Sequence, residues 1–216
     1  MRFLLGPAPM WLFFILEITA LLVAAYYYIK KRENAKAVFR RLLLVVLALK
    51  LSKPIFFTWT QWYVWHLSRP EFITVPLSAD LRLLGWLKLF SFLKSVPGGY
   101  FVFYSFGRFW LGVLIALAVA TLWWLVLKLL AKQRPGAMLA EELSLAWITA
   151  VIAGWPGIIL YVPMALVFTA AGTLYFMAKK IDSRLPVGWP MIAASIIVAL
   201  AGTFLVGIFG LVGLSV

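Results

Sequence analysis

The chain predicts an all-α fold, a single polytopic membrane bundle of about six transmembrane helices with one interfacial helix. Three observations carry this. Of 216 residues, 65% are hydrophobic and 12% charged, with a mean hydropathy of +1.02, whereas a soluble domain carries about 25% charged residues. The apolar residues fall in runs of the length that crosses a hydrocarbon core of ~30 Å at ~1.5 Å per residue. The basic residues gather in short clusters between those runs, as they do in cytoplasmic loops.

The first span covers residues 10–29. Pro7-Ala8-Pro9 suits a helix start and Tyr26-Tyr27-Tyr28 an aromatic belt. The basic cluster follows this run instead of preceding it, and the run is too long for a signal peptide. The second span, 42–65, holds Lys50, Lys53 and Pro54 inside it and ends in Trp59, Trp62, Tyr63 and Trp65, a girdle for the opposite interface. A long connection follows, with Arg82, Gly85, Lys88, Ser91 and Lys94 at every third position of 79–95. On a 3.6-residue period that stripe drifts by about 60° per step. The segment is either a helix lying on the membrane or an arm packed over the other helices.

Pro97-Gly98-Gly99 ends that connection, and a third span runs over 103–127 with Arg108 near its outer end. Residues 143–178 are apolar throughout, too long for one helix, and Trp155-Pro156-Gly157 divides them. A fourth span over 139–155, either crossing or re-entrant, and a fifth over 158–178 result. The last span is 189–214. Lys30, Lys31, Arg32, Lys36, Arg40 and Arg41, then Lys128, Lys132 and Arg134, then Lys179, Lys180 and Arg184 place twelve of the 20 Lys and Arg residues in three loops on one side. Arg2, Arg69, Arg82, Lys88 and Lys94 fall on the other. The positive-inside rule then sets both termini outside.

A net charge of +13 without a separate basic domain points to anionic phospholipid and away from nucleic acid. The chain has no cysteine and one histidine, His66, so no metal or other cofactor is expected. His66 reads as an interface residue. An H-E-x-x-H pattern is absent and no nucleophile–base constellation is visible, which argues against a protease. No repeat of 20–50 residues and no pair of broken segments points to inverted-repeat transport.

A charged side chain near the bilayer centre costs roughly 2.5–3.5 kcal/mol on insertion scales and faces a bundle interior or a wet cavity. Counted at ~1.5 Å per residue from the cytoplasmic ends of their spans, Glu17 and Lys53 are level, which predicts a Glu17–Lys53 pair locking two helices. Lys50, three residues before Lys53, shares its face and is left without an acidic partner. It either binds an anion or snorkels to the inner interface. Arg108 either snorkels or holds phosphate, whose oxygens a guanidinium grips bidentately. Glu141 and Glu142 complement the N-terminal dipole of the fourth helix.

Gly98-Gly99-Tyr100-Phe101-Val102-Phe103-Tyr104, Ile159-Leu160-Tyr161 before Lys179-Lys180, Leu185-Pro186-Val187-Gly188 and Gly202-Thr203-Phe204-Leu205-Val206-Gly207 follow one another in an order that resembles the prolipoprotein diacylglyceryl transferases. The stretches are similar to that family's Gly-Gly-Leu-Val-Phe-Tyr/His-Gly-Gly, Gln-Leu-Tyr-Glu, Pro-x-Gly and Gly-Arg-Phe-x-x-Glu motifs, over about two thirds of the chain. The resemblance implies a bacterial inner-membrane protein that moves diacylglyceryl from phosphatidylglycerol to the lipobox cysteine of an exported lipoprotein precursor. It implies Tyr104 as the catalytic residue, with Gly98 and Gly99 joining Lys50, Lys53 and Arg108 at the headgroup. Thr203 and Gly207 stand where the family has arginine and glutamate, residues 152–157 lack its arginine and asparagine, and six spans stand where it has seven. Three readings follow: a divergent transferase, a non-catalytic lipid-binding relative or complex subunit, and a small-molecule transporter.

Overall fold

The computed structural model describes residues 8–30, 35–83, 85–133, 138–180 and 187–209. The readings made above for Arg2, Pro7, Lys31, Arg32, Arg134, Arg184 to Pro186 and residues beyond 209 lie outside the described residues, as do the side chains of Lys36 and Thr203. Among the described residues there is no strand. The helices are α1 (Ala8–Ile29), α2 (Ala35–Ser68), a single turn α3 (Glu71–Thr74), α4 (Gly99–Gln133), α5 (Ala140–Ala153), α6 (Ile158–Ala178) and α7 (Gly188–Ile208). A 3-10 helix, Gly85–Lys94, lies between α3 and α4. Helices α1, α2, α4 and α6 are long and apolar enough to cross a membrane, and α7 has a shorter apolar stretch, Gly188–Gly202. The protein is an all-α membrane helical bundle.

The bundle is organised by its shortest long helix. α5 has 14 residues, about 21 Å at 1.5 Å per residue, which is less than a ~30 Å hydrocarbon core. Most of its residues from Leu145 to Ile152 are buried, and it packs against each of the other five long helices. Those five close a ring around it, with α1 against α2, α2 against α4, α4 against α6, α6 against α7, and α7 against α1. Lipid tails are as apolar as leucine, so close packing and interhelical polar bonds must hold such a bundle. Both are present. Buried alanines sit four apart at Ala20 and Ala24 on α1, Ala116 and Ala120 on α4, and Ala146 and Ala150 on α5, the small-residue spacing that lets backbones approach. The fully buried Thr149 and Tyr161 share a hydrogen bond of 2.7 Å between their hydroxyls, and Ser195 donates to the Thr149 carbonyl at 3.1 Å, joining α5, α6 and α7. Leu44, Leu122, Leu174, Leu200 and Phe204 are mostly exposed and turn outward, where lipid solvates them.

The last turns of α1, α4 and α6 and the starts of α2, α5 and α7 share one end of the bundle, here the basic end, with Lys30, Arg40, Arg41, Lys128, Lys132, Lys179 and Lys180. A single carboxylate fastens it. Glu142, on the first turn of α5 and almost fully buried, accepts from the Tyr28 hydroxyl at 2.9 Å, the Val187 amide at 2.9 Å and the Leu139 amide at 2.8 Å. The Gly188 amide donates to the Tyr28 hydroxyl at 3.1 Å. Glu142 therefore does more than complement a dipole: it binds α1 and α7 to the start of α5.

The boundaries differ from the sequence reading in instructive ways. α2 starts seven residues before Leu42, because Ala35 to Arg41 continue the helix beyond the apolar run. α4 starts at Gly99 and runs to Gln133 through a π-helical turn at Phe106–Trp110. The expected α-helix over 79–95 is instead the 3-10 helix Gly85–Lys94, packed against the first turns of α4, with Leu77 and Leu93 buried and the Leu77 amide donating to the Leu93 carbonyl at 3.1 Å. The reason is in the period. A stripe repeating every third residue drifts on an α-helix but stays on one line of a 3-10 helix, which has 3.0 residues per turn.

Replacing Glu142 with Ala strands three donors among the described residues, and hydrogen bonds to a charged group are worth about 1.5–3 kcal/mol each. Thermal unfolding in detergent is expected to show Glu142→Ala as destabilised by about 3 kcal/mol or more, and Tyr28→Phe by about half as much.

Candidate functional site

Because α5 stops short, the space beyond its C-terminus is open. A cavity of about 800 Å³ occupies it. Its floor is the end of α5 and the turn Gly154 to Gly157, and its walls come from α1, α2, α4 and α7. Phe14, Phe57, Phe109, Val113 and Val198 make those walls mainly apolar. Four charged side chains line them: Glu17 from α1, Lys50 and Lys53 from α2, and Arg108 from α4.

Lys50 is the deepest of the cations. Its Nζ meets Glu17 Oε2 at 2.9 Å, with both side chains 10% exposed, and approaches the Ile152 carbonyl at 3.4 Å. The last carbonyls of a helix have no intrahelical donor and carry the negative end of its dipole. An ammonium between a carboxylate and that helix end answers both. Pro54, four residues along α2, has no N–H to give the Lys50 carbonyl, and both residues face the cavity, where a freed backbone acceptor is tolerated at membrane depth.

The expected Glu17–Lys53 pair is thus corrected to Glu17–Lys50, and Lys50 is not unpaired. Levelling the two spans from their cytoplasmic ends placed the carboxylate beside Lys53. Because α2 begins at Ala35, its basic end is not level with that of α1 as the sequence count assumed, and the carboxylate falls three residues earlier on α2. Lys53, half-buried, takes the role first given to Lys50. Among the described residues neither it nor Arg108 has a carboxylate within ion-pair distance.

Arg108 sits within the π turn of α4. Such a turn widens the helix locally and recurs at functional sites. Here it is braced against α2 by Trp110, whose indole N–H donates to Thr58 Oγ1 at 3.1 Å, and by Phe109, stacked on Phe57 with centroids 6.0 Å apart. Arg108 is exposed and lines the cavity.

The remaining residues named from the resemblance lie elsewhere. Tyr104 belongs to an aromatic cluster with Trp65 at 5.0 Å, and reaches the cavity only through Phe109, whose ring centre is 6.4 Å away. Gly98 and Gly99 shape the turn before α4. Gly98 has φ of +79°, and a side chain there would meet the Ile73 carbonyl oxygen at 2.8 Å; one on Gly99 would collide with the Leu93 carbonyl. Their glycines serve backbone packing. His66 stacks on Trp62 with centroids 5.1 Å apart. Among the described residues no three His, Cys, Asp or Glu side chains gather as a metal would require.

Fold and site together define a helical membrane protein with a cationic cavity at membrane depth. No protein-family model, curated protein or solved structure matches the chain.

Two outcomes follow from this geometry. Lys50→Met, which abandons a buried carboxylate, is expected to lower stability by about 3 kcal/mol, and Glu17→Leu added to it should restore part of that loss in a double-mutant cycle. Gly99→Ala should lower the unfolding temperature, whereas Tyr104→Phe should leave it within about 0.5 kcal/mol of the parent.

Proposed function

We propose that this protein binds the phosphate headgroup of an anionic phospholipid in its intramembrane cavity, as the non-catalytic counterpart of the diacylglyceryl transferases it resembles. The observation that carries the reading is the convergence of Lys53 and Arg108, both without carboxylate partners among the described residues, on one cavity whose remaining charges, Glu17 and Lys50, cancel. A half-buried lysine at membrane depth is costly unless paired, and an anion between Lys53 and Arg108 would supply the partner. Phosphate suits the two residue types: the guanidinium takes two oxygens in its fork, and the ammonium acts as a compact point charge. The aromatic and aliphatic walls receive the glycerol and the start of the acyl chains.

In this reading the basic end faces the cytoplasm of a bacterial inner membrane, the start of α1 lies outside, and the cavity occupies the outer half of the bilayer, following the positive-inside rule. Tyr104 supplies no group at the cavity wall, and this favours binding over transfer of diacylglyceryl to an exported lipoprotein precursor.

The expected result for a Lys53→Gln, Arg108→Gln double variant is about a tenfold loss of anionic phospholipid retained through purification, equivalent to about 1.4 kcal/mol, with phosphatidylcholine retention unchanged. Unchanged anionic lipid would remove the headgroup assignment. Expression in bacteria depleted of their own diacylglyceryl transferase should add no mass to a model lipoprotein; addition of a diacylglyceryl group would replace the binding reading with an active transferase.

A further inference from the structure

The cavity contains one carboxylate and three cations, contributed by α1, α2 and α4; α5 and α7 bring no charged side chain to it. Glu17 and Lys50 form a neutral pair at 2.9 Å. Two positive charges, Lys53 and Arg108, remain. A phosphodiester carries one negative charge and so matches only one of these two cations. A phosphomonoester carries about −1.5 to −2 at pH 7 and offers three terminal oxygens. Three oxygens also match the donors: two for the planar fork of Arg108 and one for Lys53.

At the inner end of the cavity Glu17 Oε1 is buried without a hydrogen-bond donor among the described residues, and a second anionic group brought beside that carboxylate would be disfavoured. Lys50 is already engaged by Glu17 and by the Ile152 carbonyl, and so does not enter the count of free cations.

We infer that the ligand of this cavity is a phosphomonoester lipid, whose dianion Lys53 and Arg108 hold together. This rests on the anion-binding reading above and narrows it from phospholipids in general to those with a terminal phosphate. The apolar lining of Phe14, Phe57, Phe109, Val113 and Val198 assigns the phosphate to a lipid, whereas a free phosphate ester would leave these walls unused.

The test uses the full chain purified in non-ionic detergent and native mass spectrometry with four probes: dioctanoyl phosphatidic acid, dioctanoyl phosphatidylglycerol, dioctanoyl phosphatidylcholine and glycerol 3-phosphate. At pH 8 phosphatidic acid is expected to bind about tenfold more tightly than phosphatidylglycerol, a gap that closes toward pH 5 as the monoester, with a second pKa near 6, falls to a single charge. Phosphatidylglycerol has no phosphate titrating in that range, so its own pH dependence reports any titration of Glu17, Lys50 or Lys53 and is divided out. Lys53→Gln should lower the ratio of the two affinities toward one, and Arg108→Lys should lower it less. Equal affinities for the two lipids at pH 8, with both weakened by Lys53→Gln, would overturn the monoester while sparing the phosphate site. Affinities that none of the substitutions alters would overturn both. Glycerol 3-phosphate binding as tightly as phosphatidic acid would overturn the lipid assignment. The ratio in the unsubstituted protein at the two pH values decides the matter even where a variant fails to fold.

Discussion

The contact on which the structure depends is that of Lys50 with Glu17 and the end of α5. A helix that terminates at membrane depth leaves carbonyls without an intrahelical donor, and here the Ile152 carbonyl is one of them. An ammonium from α2 meets that need, and a carboxylate from α1 offsets its charge. Three helices are thereby fixed in register at one level of the bilayer. The void beyond is the space that a full-length helix would have filled. Cavity and ion pair therefore both adjoin the early end of α5.

The way charge is distributed around that cavity sets one cation apart from the other two. The innermost cation is committed to the fold, and the outer two, on α2 and α4, are held by backbone devices of their own. Pro54 interrupts the hydrogen-bond ladder of α2 one residue after Lys53, and a π turn carries Arg108. Both are departures from regular helix at positions where the chain borders the cavity, where the bilayer does not penalise them as it would on a lipid-facing surface. The aromatic cluster of Trp65, Phe72, Tyr100 and Tyr104 is a different construction. It seats the turn of Gly98 and Gly99 and anchors the segment leading into α4.

Much of this was legible in the sequence. Apolar run length and the clustering of Lys and Arg gave the membrane class, and Trp155-Pro156-Gly157 gave the division between α5 and α6. The three intramembrane cations were also visible, because charge in an apolar run stands out whatever the fold. Their partners were not. Whether Glu17 meets Lys50 or Lys53 depends on where α2 begins, and Ala35 to Arg41 is too polar to read as part of a membrane helix. The role of Tyr28 had no signal, since a tyrosine at a helix end also suits an interface belt; only the fold brings it to Glu142. The period-three stripe of Arg82 to Lys94 was in view but was measured against the wrong helix, and its drift at 3.6 residues per turn was the sign of a 3-10 geometry. Resemblance in motif order grouped Tyr104 and its glycines with the cations, and the structure sets them in a separate cluster.

The carboxylate knot at the basic end constrains how the molecule can deform. α1, α5 and α7 are pinned together there through Tyr28, Glu142, Val187 and Gly188, whereas α1 and α7 border an empty volume at their other ends. A bundle clamped at one end and bordering a cavity at the other is built like tongs. Displacement of α1 from α7 would pivot about Glu142, with its amplitude smallest near Tyr28 and Gly188 and largest near Met10 and Val206.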